Sequence, residues 1–197
     1  MVKVACSQLF ELNLGNFETD EDDGQRKRKR KDDHHFLRVA LYRGVKNATA
    51  LRDKLVSGSL EAALIKAHLI VEPFQLLAAA SRAAQALEQG KLSTRNVHSE
   101  IVYSLSPTRN ITESLSTFGI GDDTGDLLVA TFDDKSAEKM KAVDKLVDGY
   151  PTALESLPSI ADQTAVKRVY HVKEPELNKA SILDAIVSRI VSKDYVG

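Results

Sequence analysis

Residues 127–132 read Leu-Leu-Val-Ala-Thr-Phe, an almost continuous apolar run with acidic residues on both sides. The run is too short for an ordinary amphipathic helix. Its length and β-branched content predict a buried central strand, and a central strand needs partners. Val2, Val4, Leu9, Leu12 and Leu14 make residues 1–14 strand-like. Phe36, Leu37, Val39, Ala40 and Leu41 mark another strand over 36–42.

Most of the remaining chain has helical spacing with clear punctuation. Asn47 starts a helix running to Ser57, ahead of Gly58, with Ala48, Leu51 and Leu55 inward. Ser59 starts a short helix through Ile65. Pro73 fits the first turn of a long helix that Gly90 ends. Its inner side holds Leu76, Leu77, Ala80, Ala83, Ala84 and Leu87, and its other side Gln75, Ser81, Arg82, Gln85 and Gln89. Residues 96–105 form a helix stopped by Pro107. Asn110 with Glu113 makes a start like a capping box, with Ile111, Leu115 and Phe118 inward. Residues 136–147 give a helix with Met140, Val143 and Val147 inward, 162–170 a helix or strand, and 180–192 the closing helix. Few strands among many helices predict an α+β fold, a single domain over 1–197 with a small, mostly antiparallel sheet packed with several helices.

A charged insertion at 18–35 separates the first two strands. Asp20, Glu21, Asp22 and Asp23 precede Gly24 and the basic run 26–31, with no apolar residue between Thr19 and His35. Burial cannot offset ordering entropy there, so a disordered hairpin loop is expected. The basic run reads two ways: as a nuclear-import or nucleic-acid contact, or as a solvated loop that neutralises itself. The first would make the chain a nuclear nucleic-acid-binding protein. His34 and His35 lack a second cluster to complete a metal site and read as the end of the loop.

A formal net charge of −1 argues against coating nucleic acid by bulk charge, while leaving room for a local basic groove. The one cysteine, Cys6, suits a reducing compartment and reads as a small buried side chain. No apolar run approaches the ~18 residues of a membrane span, and the N-terminus lacks a secretory layout. A soluble intracellular chain with no membrane contact is expected.

Catalytic signatures are missing from the sequence: it has no His-Glu-x-x-His, no Cys-x-x-Cys and no Gly-x-Ser-x-Gly. Residues 119–125, Gly-Ile-Gly-Asp-Asp-Thr-Gly, follow a helix and precede a strand, the reverse of a phosphate cradle. They read as a turn, and Asp122, Asp123, Asp133 and Asp134 as exposed turn residues. The expectation is a chain that is not an enzyme, uses no cofactor or metal, and works by contact.

On a wheel of ~100° per residue, the closing helix spreads Ile182, Leu183, Ile186, Val187, Ile190 and Val191 over half its circumference. A core stripe needs an arc only somewhat above ~100°. Either the helix is nearly enclosed or its surplus strip meets a partner. Phe74 falls on the polar face of its helix near Arg82. The two could stack on single-stranded nucleic acid, or Phe74 could pack on the preceding loop. Lys46, Arg52, Lys91 and Arg95 flank the helix ends, as a phosphate track or as scattered cations.

Several segments are specific as an ordered set. They are Leu41-Tyr-Arg-Gly-Val-Lys-Asn-Ala48 with Leu51-Arg52, Val71-Glu-Pro-Phe-Gln-Leu-Leu77, Ser93-Thr-Arg95, and Ser99-Glu-Ile-Val-Tyr-Ser-Leu-Ser-Pro107. Asn110-Ile-Thr-Glu113, Phe118-Gly-Ile120, Val166-Lys-Arg-Val-Tyr170 and Ile182-Leu-Asp-Ala-Ile186 follow. From about Phe36 onward the chain resembles the PRPK-binding protein family, the kinase-binding subunits of the KEOPS/EKC complex. The insertion at 18–35 departs from that pattern.

The resemblance implies a non-catalytic subunit that binds and activates a PRPK-type atypical kinase/ATPase. It thereby supports threonylcarbamoyladenosine modification of transfer RNA, with other subunits reached through the kinase. It also implies presence in cytoplasm and nucleus, a link to telomere maintenance, and in some members a grip on the transfer-RNA CCA end. Carried onto this chain, Ile182, Ile186, Arg189 and Ile190 are the expected kinase contacts. Lys46, Arg52, Phe74, Arg82 and Arg95 are the expected RNA contacts.

Overall fold

The computed structural model describes residues 7–13, 34–132 and 134–195. Its centre is β4 (Leu127–Phe132), buried at every position as the apolar run requires. One edge of β4 pairs with β2 (His34–Arg43) and the other with β3 (Ala63–Lys66). The free edge of β2 takes β1 (Gln8–Asn13) along residues 34–39 and β5 (Tyr150–Thr152) along 41–43. The result is a five-stranded sheet, antiparallel throughout, ordered β1-β2-β4-β3.

Strand alternation divides the core in two. Leu37, Val39, Leu41, Ile65, Leu128, Ala130 and Phe132 face one layer of helices. That layer contains α2 (Pro73–Glu88), α3 (Val97–Leu105), α7 (Gln163–Tyr170) and α9 (Ile182–Ser192), and Phe118 of α4 (Ile111–Phe118) joins it. Ala40, Tyr42, Leu64, Leu127 and Val129 face the opposite way. They meet Ala48 and Leu51 of α1 (Ala48–Val56) and Met140 and Val143 of α5 (Glu138–Asp144). Two short helices, α6 (Leu157–Ile160) and α8 (Glu174–Leu177), complete the chain's C-terminal third. This is the expected α+β architecture.

Several local expectations are corrected. Residues 59–65 do not form a helix: Ala63–Lys66 is β3, because pairing with β4 buries Leu64 and Ile65 on both faces at once. Asn47 occupies the N-cap of α1, but its side chain ties down residues 146–148 instead. Its Nδ2 donates to the Leu146 carbonyl at 2.7 Å and its Oδ1 accepts from Asp148 N at 3.0 Å. Ile111 and Leu115 are exposed, while Ser114 and Phe118 make the buried side of α4. Asp134 is buried, and accepts from the Lys139 and Met140 amides at 3.1 and 2.8 Å to hold the start of α5. His34 and His35 open β2 rather than closing a loop, and His35 Nε2 lies 2.9 Å from Glu88 Oε1. Residues 1–6 and 14–33, with Cys6 and the basic run, lie outside the described residues.

Candidate partner-binding surface

The closing helix is locally well specified. Ser181 caps it by accepting from the Asp184 amide at 3.1 Å, and the Asp184 carboxylate accepts in return from Ser181 N at 3.2 Å. This reciprocal box fixes where α9 begins. The helix packs on α2, α7 and α8. Ala185, Ile186 and Ile190 enter the core, the two isoleucines with no exposed surface. That corrects the expectation that Ile186 and Ile190 line a docking surface: in this chain they hold the helix from beneath. Ile182 and Leu183 are half-buried against the same core.

The surplus strip is one position further round. Val187 is half-exposed and Val191 is 53% exposed, one turn apart on the same face. Beside it, Arg189 is committed to Glu176 through two hydrogen bonds, Nη1 at 2.7 Å and Nη2 at 2.8 Å. Hydrogen bonding to Glu176 raises the guanidinium's affinity for its proton, and the same contact holds the Glu176 carboxyl below its ordinary range. Arg189 therefore fastens α8 to α9 and offers a partner only its remaining surface.

The five expected RNA contacts are not brought together. Lys46 and Arg52 lie with α1, across the sheet from α2. Arg52 Nη1 already meets both Asp122 oxygens at 2.9 Å. Phe74 is 55% exposed at the start of α2. Arg95 is exposed in the connection that follows the other end of that helix. Arg82 lies two turns beyond Phe74 and is spent on the chain's own C-terminal residues, Val191 O at 3.0 Å and Asp194 Oδ2 at 2.6 Å. Phe74 and Arg82 thus share α2, Arg95 lies beyond its far end, and Lys46 and Arg52 lie with α1 on the other face of the sheet.

Gln75, expected on the polar face of α2, is fully buried and bonded to Leu69 O, Val71 N and the Tyr170 hydroxyl. Among the described residues no group of His, Cys, Asp and Glu could hold a metal, and no helix is long and apolar enough to cross a membrane.

The family model described as "Kinase binding protein CGI-121" matches residues 42–194. The chain belongs to the CGI-121 kinase-binding family. The matched span runs from the end of β2 through α9, so it includes the helix with the surplus strip. Among similar proteins is the "EKC/KEOPS complex subunit TPRKB" of Danio rerio, 35% identical over 155 residues, covering 78% of this chain and 89% of the relative. The "EKC/KEOPS complex subunit cgi121" of Aspergillus fumigatus is 40% identical over 142 residues, covering 68% and 75%. The subunit of the same name from Kluyveromyces lactis is 33% identical over 137 residues, covering 68% and 86%.

The group that holds the far end of α9 has no signature in the sequence. Arg109 donates to the carbonyls of Lys193 and Asp194, and Lys193 donates to Tyr103 O. Their partners lie more than 80 residues away along the chain, so no local pattern signals them.

Proposed function

We propose that the chain is a non-catalytic subunit of a KEOPS/EKC complex that binds and activates a PRPK-type atypical kinase/ATPase. In that role it supports threonylcarbamoyladenosine modification of transfer RNA, in cytoplasm and nucleus. Membership of the kinase-binding family carries this reading, and the names of the relatives supply the complex. The contact we assign is the outer strip of α9, Val187 and Val191, with Ile182 at its start and Arg189 beside it. An amphipathic helix laid in an apolar groove is a standard way to seat a partner. Ile186 and Ile190 serve it indirectly, by keeping the helix rigid. Contact with the transfer-RNA CCA end is assigned to Phe74, the exposed aromatic on α2.

The reading is tested by measuring ATP hydrolysis by the kinase subunit with and without this chain. Stimulation at stoichiometric amounts supports it, and an unchanged rate overturns the activating role. Replacing Phe74 with alanine in the reconstituted complex tests the RNA contact: weaker transfer-RNA binding supports it, and unchanged binding removes it.

A further inference from the structure

The α3–α4 connection, α4 and the end of α7 enclose a cleft of about 290 Å³, away from the outer strip of α9. Ser106 and Thr108 line it from the connection, Glu113 and Thr117 from α4, where they stand one turn apart, and Arg168 and His171 from the end of α7. Its walls are fixed before anything binds. The Tyr170 hydroxyl donates to Leu105 O at 2.6 Å, beside Ser106 in the chain. The rings of Phe118 and Tyr170 meet at 5.7 Å and tie α4 to α7. Asn110 Oδ1 accepts from Glu113 N at 3.1 Å and sets the start of α4.

The charges on this cleft are opposite, yet they do not meet. Glu113 accepts from the Thr108 hydroxyl alone, at 3.3 Å through Oε2, which leaves Oε1 without a hydrogen bond among the described residues. The Arg168 guanidinium and the His171 ring have no hydrogen bond or ion pair among the described residues. By contrast, Arg43, Arg52, Arg82 and Arg189 each hold a carboxylate within 3.3 Å. A lone anion would be repelled by Glu113 and a lone cation by Arg168, while a neutral guest would leave both charges unanswered. A guest that carries both signs makes a charge-assisted hydrogen bond at each end. At about 30 Å³ per water, the cleft has room for about ten non-hydrogen atoms. That is the size of an amino acid and less than a nucleotide.

We propose that the cleft is a binding site for a small zwitterion of the free α-amino-acid class. Glu113 holds the ammonium and Arg168 the carboxylate. The Thr117 hydroxyl and the His171 ring supply further polar contacts, and Pro107 and Val169 pack against the guest's carbon atoms. A few placed polar groups beside an apolar wall are the usual make-up of a small-molecule site. The site goes beyond the kinase-binding role and stands whether or not that role holds.

The test is NMR of the backbone amides of the full chain at neutral pH, titrated in turn with glycine, L-serine, L-valine, acetate and methylammonium. Saturable shifts at residues 106–108, 117 and 168–171 with at least one amino acid, half complete at about 1 mM or below, support the site when neither single ion reproduces them. Loss of those shifts in both Glu113→Gln and Arg168→Met completes the support. No saturable shift with any of the three amino acids, an equal response to acetate or methylammonium, or binding retained in either variant overturns it. Should a variant fail to fold, the comparison of amino acids with single ions on the wild type decides.

Discussion

Gln75 Nε2 donates to the Tyr170 hydroxyl at 3.0 Å, and both residues are fully buried. The tyrosine donates onward to the Leu105 carbonyl at 2.6 Å, while Gln75 also binds Leu69 O and Val71 N. This polar knot joins the start of α2 to the ends of α3 and α7, on which α9 and its outer strip rest. Burial raises the tyrosine's pKa well above the ordinary range, so it remains a neutral donor.

Replacing Tyr170 with phenylalanine leaves the ring in place but takes the donor from Leu105 O and an acceptor from Gln75. Unmet buried hydrogen bonds of this kind cost about 1–3 kcal/mol. Urea unfolding should show a lower midpoint with an unchanged slope. A midpoint equal to wild type contradicts the knot's structural role.

The two strips of α9 should respond oppositely to substitution. Ile186→Ala opens a cavity in the core and should cost about 2–5 kcal/mol, and Ile186→Asp should not fold. Val191→Asp, at an exposed position, should change stability by no more than about 0.5 kcal/mol. Thermal unfolding of the three variants checks the contrast. Equal destabilisation by Ile186→Ala and Val191→Asp would place both valine and isoleucine strips in the core.

The Glu176–Arg189 pair has a signed pH dependence. Because the folded carboxyl is held below its ordinary value, the pair's contribution is present above the unfolded glutamate pKa of about 4.3. It is lost as pH falls through the lower folded value. An NMR titration should find Glu176 titrating lower in the wild type than in Arg189→Met. Identical midpoints would mean the pair does not persist in solution.

Much of this architecture is readable from local pattern. The almost continuous apolar run at 127–132 announced β4 because a strand covered on both faces tolerates it. Pro73 and Gly90 bracketed α2, whose turn past the helix end uses Gly90 at φ +65°. Errors came where a distant partner decided the outcome. Residues 60–65 carry good helix formers, yet pairing with β4 makes 63–66 a strand. A helical wheel showed that α9 has more apolar surface than one stripe needs. It could not show which half faces inward, because α2 and α7 decide that. Gln75 looked like surface because Tyr170, its partner, stands 95 residues away.

Calorimetric titration of the purified PRPK-type kinase with this chain tests the central claim most directly, comparing wild type with Val187→Asp and Val191→Asp. A carboxylate forced into a desolvated apolar contact costs several kcal/mol. Tight wild-type binding that weakens about 100-fold or more in both folded variants is the predicted result. Undiminished binding by both variants would contradict the assignment of the α9 strip as the contact, and no binding by the wild type would contradict the kinase-binding role itself.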